Sequence, residues 1–348
     1  HPDVTAIPDA NFEEYLIDEN IDSDGTINGQ VLKSDIENIT QVIVNGKNIS
    51  DLTGIQCFTN LIELNAANNQ ISTVDLSKNI QLEKLFIANN QLSALNLSNN
   101  IKLKNVDVGE NSLSSLEIHL LPNLETLSCY KNQLTLINTY SNSKLVSLIC
   151  NENQLKHIDI RENKSLFWID VDDNNLESLT IKNGNNSIIT TLSATGNPNL
   201  TCIEVDDVNF SNSNWTNKDA TASYSTDCAP SNDDCSNAIP LTFGQQTPGD
   251  VNSGNANNNA NCVVGNIIAD VWFSVVVPAS GEITVETSDN GGFTDSGMAL
   301  YSGTCGSLSL IDCDDDGGTG TMSLINETGL TVGDTVYIRV WEFGGNSE

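Results

Sequence analysis

Basic and aromatic residues are scarce in this chain. Lysine and arginine number 14 among 348 residues against 46 aspartates and glutamates, a formal charge of −32, and aromatics supply 5%. A field of that sign repels phosphate backbones and anionic headgroups and attracts cations, so no nucleic-acid partner is expected. No run reaches the roughly 20 apolar residues that cross a bilayer, so no membrane insertion is expected either. The only histidines are His1, His119 and His157, without an evident serine or cysteine partner. HExxH, GxSxG and phosphate-loop motifs are missing. Paired acids occur throughout so acidic a chain and signal nothing by themselves. The expectation is a protein that is not an enzyme. Its start at His1 reads as a processed or trimmed product.

The nine cysteines divide the chain. Cys57, Cys129 and Cys150 stand in apolar contexts. Cys202, Cys228, Cys235, Cys262, Cys305 and Cys313 fall late, in polar loop-rich sequence without CxxC or Cys/His spacing. Those six read as disulfides rather than a metal site, which places the protein outside the cytoplasm.

An internal repeat carries the fold. Leu61, Leu82, Leu103, Leu124, Leu145 and Leu166 each open a unit of 21 residues. The unit reads LxxLx(A/I/V/C)xxNx(I/L)xx(L/V/I)xLxxNxx. Its fourth position holds Leu64, Leu85, Val106, Leu127, Leu148 and Ile169; its ninth holds Asn69, Asn90, Asn111, Asn132, Asn153 and Asn174. A seventh copy starts at Ile189 after a two-residue insertion, and a degenerate one runs from Ile39 to about Asn60. No single copy can bury its apolar row, so copies stack at roughly 4.8 Å per rung into parallel strands over a continuous core. The ninth-position asparagine turns the chain and satisfies backbone groups as a ladder. Cys129 and Cys150 take the sixth position and are core fillers. "ISTVDLSKN", "LSALNLSNN" and "LKHIDIREN" repeat the grammar in the second half of the unit, which predicts β structure along both sides and few helices.

These units resemble the leucine-rich repeat family, most nearly the short-repeat surface proteins of Bacteroidetes and more distantly the bacterial internalins. Both open ends need covers. "IPDANFEEYLIDEN" has Phe12 and Leu16 four apart behind Pro8 and Asp9, a helix start, and residues 1–38 read as an N-terminal cap. The solenoid with its closing segment is assigned to 39–228, and a Cys202–Cys228 bridge would staple that closing segment.

From 229 to 348, "DVWFSVVV", "GEITVETS", "GMALYSG", "LSLIDC", "TMSLINE" and "TVYIRVWE" are short alternating runs between turns, the pattern of an antiparallel β-sandwich. The fold class is therefore mainly β: a solenoid with a small helical cap, then a sandwich. "NDDCSNAIPL", "ALYSGTCGSLSLIDCDDD" and "GDTVYIRVWE" resemble the prepeptidase-C-terminal-like sandwiches of secreted bacterial proteins. Local order suggests bridges Cys235–Cys262 and Cys305–Cys313. The chain stops just after a strand, so the sandwich reads as incomplete, and the resemblance implies a type IX secretion signal beyond Glu348.

Three candidate sites stand out. In "NIDSDGTIN", Asn20, Asp22 and Asp24 alternate before Gly25, like the start of an EF-hand-type loop; calcium is the ion it would take. Val31 stands where the twelfth-position acid belongs, leaving Asp35 or Glu37 to substitute. A second carboxylate set joins Asp233 and Asp234 to Asp314 and Asp316. In related collagen-binding sandwiches calcium lies near the N-terminal linker, which favours Asp233 and Asp234. The third candidate is the outward strand surface, where Phe86, Tyr130, Ile149, Trp168, Asp170 and Asp172 lie on one face and suit an extracellular protein or glycan. The expected function is a secreted binding or adhesion protein of the outer cell surface. The alternative is a non-catalytic carbohydrate-targeting module of a larger secreted hydrolase, using Trp272, Tyr301 and Trp341 in the sandwich.

Overall fold

A computed structural model describes residues 3–228, 232–247, 270–288 and 295–342. The chain divides into two compact units, His1–Asp227 and Cys228–Glu348.

The first unit is a solenoid. Gln41–Ile43, Glu63–Asn65, Lys84–Phe86, Asn105–Asp107, Thr126–Ser128, Ser147–Ile149, Trp168–Asp170, Thr191–Ala194 and Asn217–Lys218 form one nine-stranded sheet in chain order. All its pairings are parallel. Leu64 lies beside Leu85, Leu85 beside Val106 and Leu127 beside Leu148, so the 21-residue period is the ladder's register. The step to Thr191 takes 23 residues, as the insertion requires. The fourth-position residues are 0–2% exposed, and with the first- and sixth-position side chains they make a single core along the unit. Stacking buries what one rung cannot.

The asparagine ladder forms as expected. The Asn90 amide donates to the carbonyls of Ala66, Ile87 and Ala88 at 2.9, 3.1 and 3.3 Å and accepts from the Ile71 N–H at 2.9 Å. Asn111, Asn132, Asn153 and Asn174 repeat this set. The residue before each turns through the left-handed region, from Asn68 at φ 57° to Asp173 at φ 52°. A second ladder, unassigned above, uses the nineteenth position: Asn79, Asn100, Asn142 and Asn163 are fully buried and donate to carbonyls of the preceding coil.

The back of the solenoid corrects the expectation of β structure on both sides throughout. Among the described residues only His157–Asp159, Ser178–Thr180, Cys202–Glu204 and Ser223–Ser225 pair there, as a four-stranded parallel sheet. In earlier coils Leu76, Leu97 and Ile118 still point inward, but neighbouring coils share few bonds, such as Gln91 N–H to Ile71 at 2.9 Å. Alternation reports which side chains face the core. It does not report whether backbones approach to bonding distance.

Both ends are covered. The helix Ala10–Asp18 is capped by Asp9, which accepts from Asn11 and Phe12 and, with its other oxygen, from Ser50 and Asp51 of the first coil. The Tyr15 hydroxyl accepts from the Ile43 N–H at 3.0 Å, closing the sheet's open edge. At the far end, buried Trp215 meets Phe210 and Tyr224 edge-on and donates to Ile189 at 3.1 Å.

In the second unit a five-stranded sheet runs Ile239–Pro240, Asp270–Val276, Thr335–Glu342, Ser296–Thr304, Ser307–Asp314 in space, antiparallel except at its first pairing. One face packs Val271, Phe273, Met298, Leu300, Ile338 and Val340 with Ile283 and Ile325 of the two-stranded sheet Ile283–Glu286 and Leu324–Glu327. The opposite face is buried too. Trp272, Tyr301 and Trp341 are 7%, 9% and 2% exposed, and a Cβ on Gly297 would meet the Trp341 ring at 2.1 Å. Arg339 pairs with Asp270 on that face and lies 5.5 Å over the Trp272 ring. Burial pushes the Asp270 carboxyl up, against the pull of Arg339.

Candidate functional site

Strand alternation turns positions three, five and seven of each coil away from the core. Trp168 is 43% exposed and its neighbour Phe167 42%. Phe86 and Ile149 are half-buried on the same face. Ile149 lies beside Asp170 in register, and Trp168 beside Ser147. Tyr130 is half-buried because its ring crosses the preceding coil at Gly109, where a Cβ would come within 2.2 Å of it. The expected residues thus share one face in three columns: Phe86, Ile149 and Asp170 in one, Trp168 in the second, Tyr130 and Asp172 in the third. Four rungs separate Phe86 from Trp168, roughly 19 Å.

The acids at one end of this face are held in place. Asp172 accepts from the Thr195 N–H and the Ser193 hydroxyl, each at 2.6 Å. Asp170 accepts from the Asp172 N–H at 3.2 Å. Burial pushes the Asp170 carboxyl up, and the charges of Asp172, Asp173 and Glu152 push it further. Along the rest of the solenoid, lysines neutralise acids one coil away. Lys84 meets Glu63 at 3.2 Å, Lys104 meets Glu83 at 2.8 Å, and Lys131 lies 3.1 Å from Glu110 and 4.0 Å from Glu152. His157 bonds the Ser178 hydroxyl of the next coil through Nδ1 at 2.9 Å, a serine neighbour that the sequence did not make evident.

The N-terminal loop closes on itself. Asp24 accepts from the Thr26 N–H and hydroxyl at 2.8 and 2.7 Å and from the Asn28 amide at 2.7 Å. Asn20 takes a left-handed turn, φ 57°. Glu13, 1% exposed, accepts the N–H groups of Asn28, Gly29 and Gln30 at 2.9, 2.8 and 3.1 Å. It was missed because it lies on the cap helix, outside the loop motif, and only its place beside the core-facing Phe12 hints at burial. Asp22 is 4% exposed, and its Oδ2 has no partner. Burial and the charges of Asp24, Glu13 and Asp35 raise its carboxyl. Among the described residues no group of three or more histidines, cysteines or acids is arranged to hold a metal.

The second carboxylate set is not brought together. Asp233 and Asp234 act on Asp270. Asp314, three strands from Asp270 and so roughly 14 Å across the sheet, accepts from the Gly317 and Leu324 N–H groups at 2.8 and 2.7 Å. Asp316 acts on Asp295 instead.

The disulfide pairings in the sandwich are corrected. Cys235 bonds Cys305, with Cα atoms 5.5 Å apart. That overturns both Cys235–Cys262 and Cys305–Cys313. Cys305 lies at the tip of the hairpin that pairs Thr304 with Ser307, whereas Cys313 pairs with Ala299. Ser307 and Cys313 are six residue steps apart along the strand, roughly 20 Å, beyond any bridge. Cys202, Cys228 and Cys313 are disulfide-bonded; Cys262 lies outside the described residues. Cys57, Cys129 and Cys150 are free thiols, the last two fully buried. The sandwich aromatics Trp272, Tyr301 and Trp341 are core and present no sugar-stacking surface.

No curated protein matches the chain. Among solved structures it is similar to the functional domain of InlJ from Listeria monocytogenes, at 20% identity and a TM-score of 0.35, over 59% of this chain and 58% of that one. The chain therefore spans little more than half of that domain. An internalin, InlF, from Listeria monocytogenes is 18% identical with a TM-score of 0.30, over 57% and 84%. A leucine-rich-repeat protein of Leptospira interrogans is 20% identical with a TM-score of 0.37, over 44% and 52%. Residues 231–347 match a family described as galactose binding domain-like and associated with type IX secretion, rather than the prepeptidase-C-terminal-like group.

Proposed function

We propose that this chain is a secreted, surface-exposed binding protein whose solenoid sheet face recognises an extracellular protein or glycan. The observation that carries the reading is the exposed Trp168 on a rigid in-register sheet, beside Ile149, Asp170 and Asp172 and on the face that also presents Phe86 and Tyr130. Parallel rungs fix these side chains, so little ordering is lost when a partner docks. Cystine bonding and the family match over the second unit support export. No helix of the described residues is long and apolar enough to cross a membrane. The sandwich serves as a spacer or accessory module.

The test is binding of the full chain to arrays of extracellular proteins and glycans. Phe86→Ala, Tyr130→Ala and Trp168→Ala combined should lose binding at least tenfold while far-UV circular dichroism is unchanged. Unaltered binding by that variant would show that the partner uses another surface.

A further inference from the structure

The sheet face is not uniform, and one coil differs from the others in charge. On the strand Trp168–Asp170 and the residues after it, an exposed indole and two carboxylates point outward at alternate positions, roughly 7 Å apart. Asp173 follows directly, exposed. Among the described residues no ion pair reaches Asp170, Asp172 or Asp173. Lys131, two coils away, is engaged by Glu110 and Glu152, and Lys218, on the other side, donates to the carbonyls of Asp219 and Ala222. The other flanks carry coil-to-coil lysine–glutamate pairs, among them Lys156–Glu177 at 3.5 Å and Lys182–Glu204 at 3.2 Å. Three carboxylates on one coil therefore lie together without an ion pair among the described residues, while Ser193 and Thr195 hold Asp172 in place.

We propose that this end of the sheet face receives a basic segment of a protein partner, with an arginine or lysine side chain lying over the Trp168 indole and paired with Asp170 and Asp173. The inference rests on the reading of the sheet face as the binding surface. A cation gains twice here, from the ring's negative face and from the carboxylates. Half-buried Ile149, beside Asp170 in register, offers apolar surface to its aliphatic stem. A neutral sugar could stack on the indole, but its hydroxyls would leave the carboxylate repulsion in place. The net charge of −32 would further speed encounter with a basic partner.

The experiment titrates the full chain with a nine-residue arginine peptide and with its citrulline counterpart, at 50 and 300 mM salt. Arginine peptide should bind at least tenfold more tightly than the citrulline peptide, and more weakly in high salt. Trp168→Ala alone and Asp170→Asn with Asp173→Asn should each weaken it about tenfold. A charge-matched control on the cap helix, Glu14→Gln with Asp18→Asn, should change it less than twofold. Equal loss in the control would mean that only the overall field attracts the peptide and would overturn the proposal, as would equal binding of the two peptides. A neutral glycan that binds the wild type and is lost with Trp168→Ala, when the arginine peptide fails, would assign the coil to sugar. If the peptide fails while the triple alanine variant still loses array binding, the face stands and only the basic partner falls; if neither responds, both readings fall.

Discussion

At the scale of single residues, the amides that stitch coils together are the most exacting positions. Asn132 donates to Val108, Cys129 and Tyr130 and accepts from Leu113, all within a buried turn. Asn132→Ala strands those groups without water, and a buried unpaired polar group costs about 1–3 kcal/mol. The expected loss is about 3 kcal/mol in chemical denaturation. Two carboxylates of the N-terminal loop make opposite predictions. The native carboxyl of Asp22 is raised, so the folded state holds its proton to higher pH than the unfolded chain, and stability from this group falls as pH climbs through that window. Asp22→Asn should raise the melting temperature at pH 7 and flatten its acid-side dependence. Asp24 is lowered by the Thr26 and Asn28 bonds, so its contribution is present at neutral pH and is lost as pH falls. Asp24→Asn should therefore lower the midpoint at pH 7. A calcium-induced rise in midpoint that Asp22→Asn abolishes would instead assign the loop to that ion.

At the scale of the coil, close contacts between rungs decide which residues can vary. A Cβ on Gly109 overlaps the Tyr130 ring of the next coil. Gly109→Ala should cost about 1–3 kcal/mol by overpacking, and adding Tyr130→Ala should recover part of it, a coupling that a double-mutant cycle measures. The same scale explains what could be read beforehand. The rung register was legible because burying Leu85 or Ile169 demands strict spacing. The back sheet was not, because inward Leu76 and Ile118 need no ladder. The Cys235–Cys305 bond was hidden because nearness along the chain says nothing about a hairpin whose tip lies far from Cys313. On the candidate face, outward positions followed from alternation. Tyr130's settling on Gly109 required the neighbouring coil, and the missing cation beside Asp170 required every other lysine to be placed.

At the scale of the molecule, charge dominates. With 46 acids against 14 basic groups, repulsion outweighs the exposed coil-to-coil pairs, each worth roughly 0–1 kcal/mol. Raising sodium chloride from 10 to 500 mM shortens the screening length from about 30 to about 4 Å. The melting temperature should rise across that range; a fall would show that the surface ion pairs contribute more than the net field removes. The nine-stranded ladder has a mechanical consequence as well. Each strand of the ladder pairs only with the strands beside it, so tension applied at the two ends of the solenoid acts on rungs in series and peels them from an end. A coil of the regular repeat pays out 21 residues on release, about 70 Å of extended chain, so a solenoid pulled from its ends would lengthen in steps before it parts.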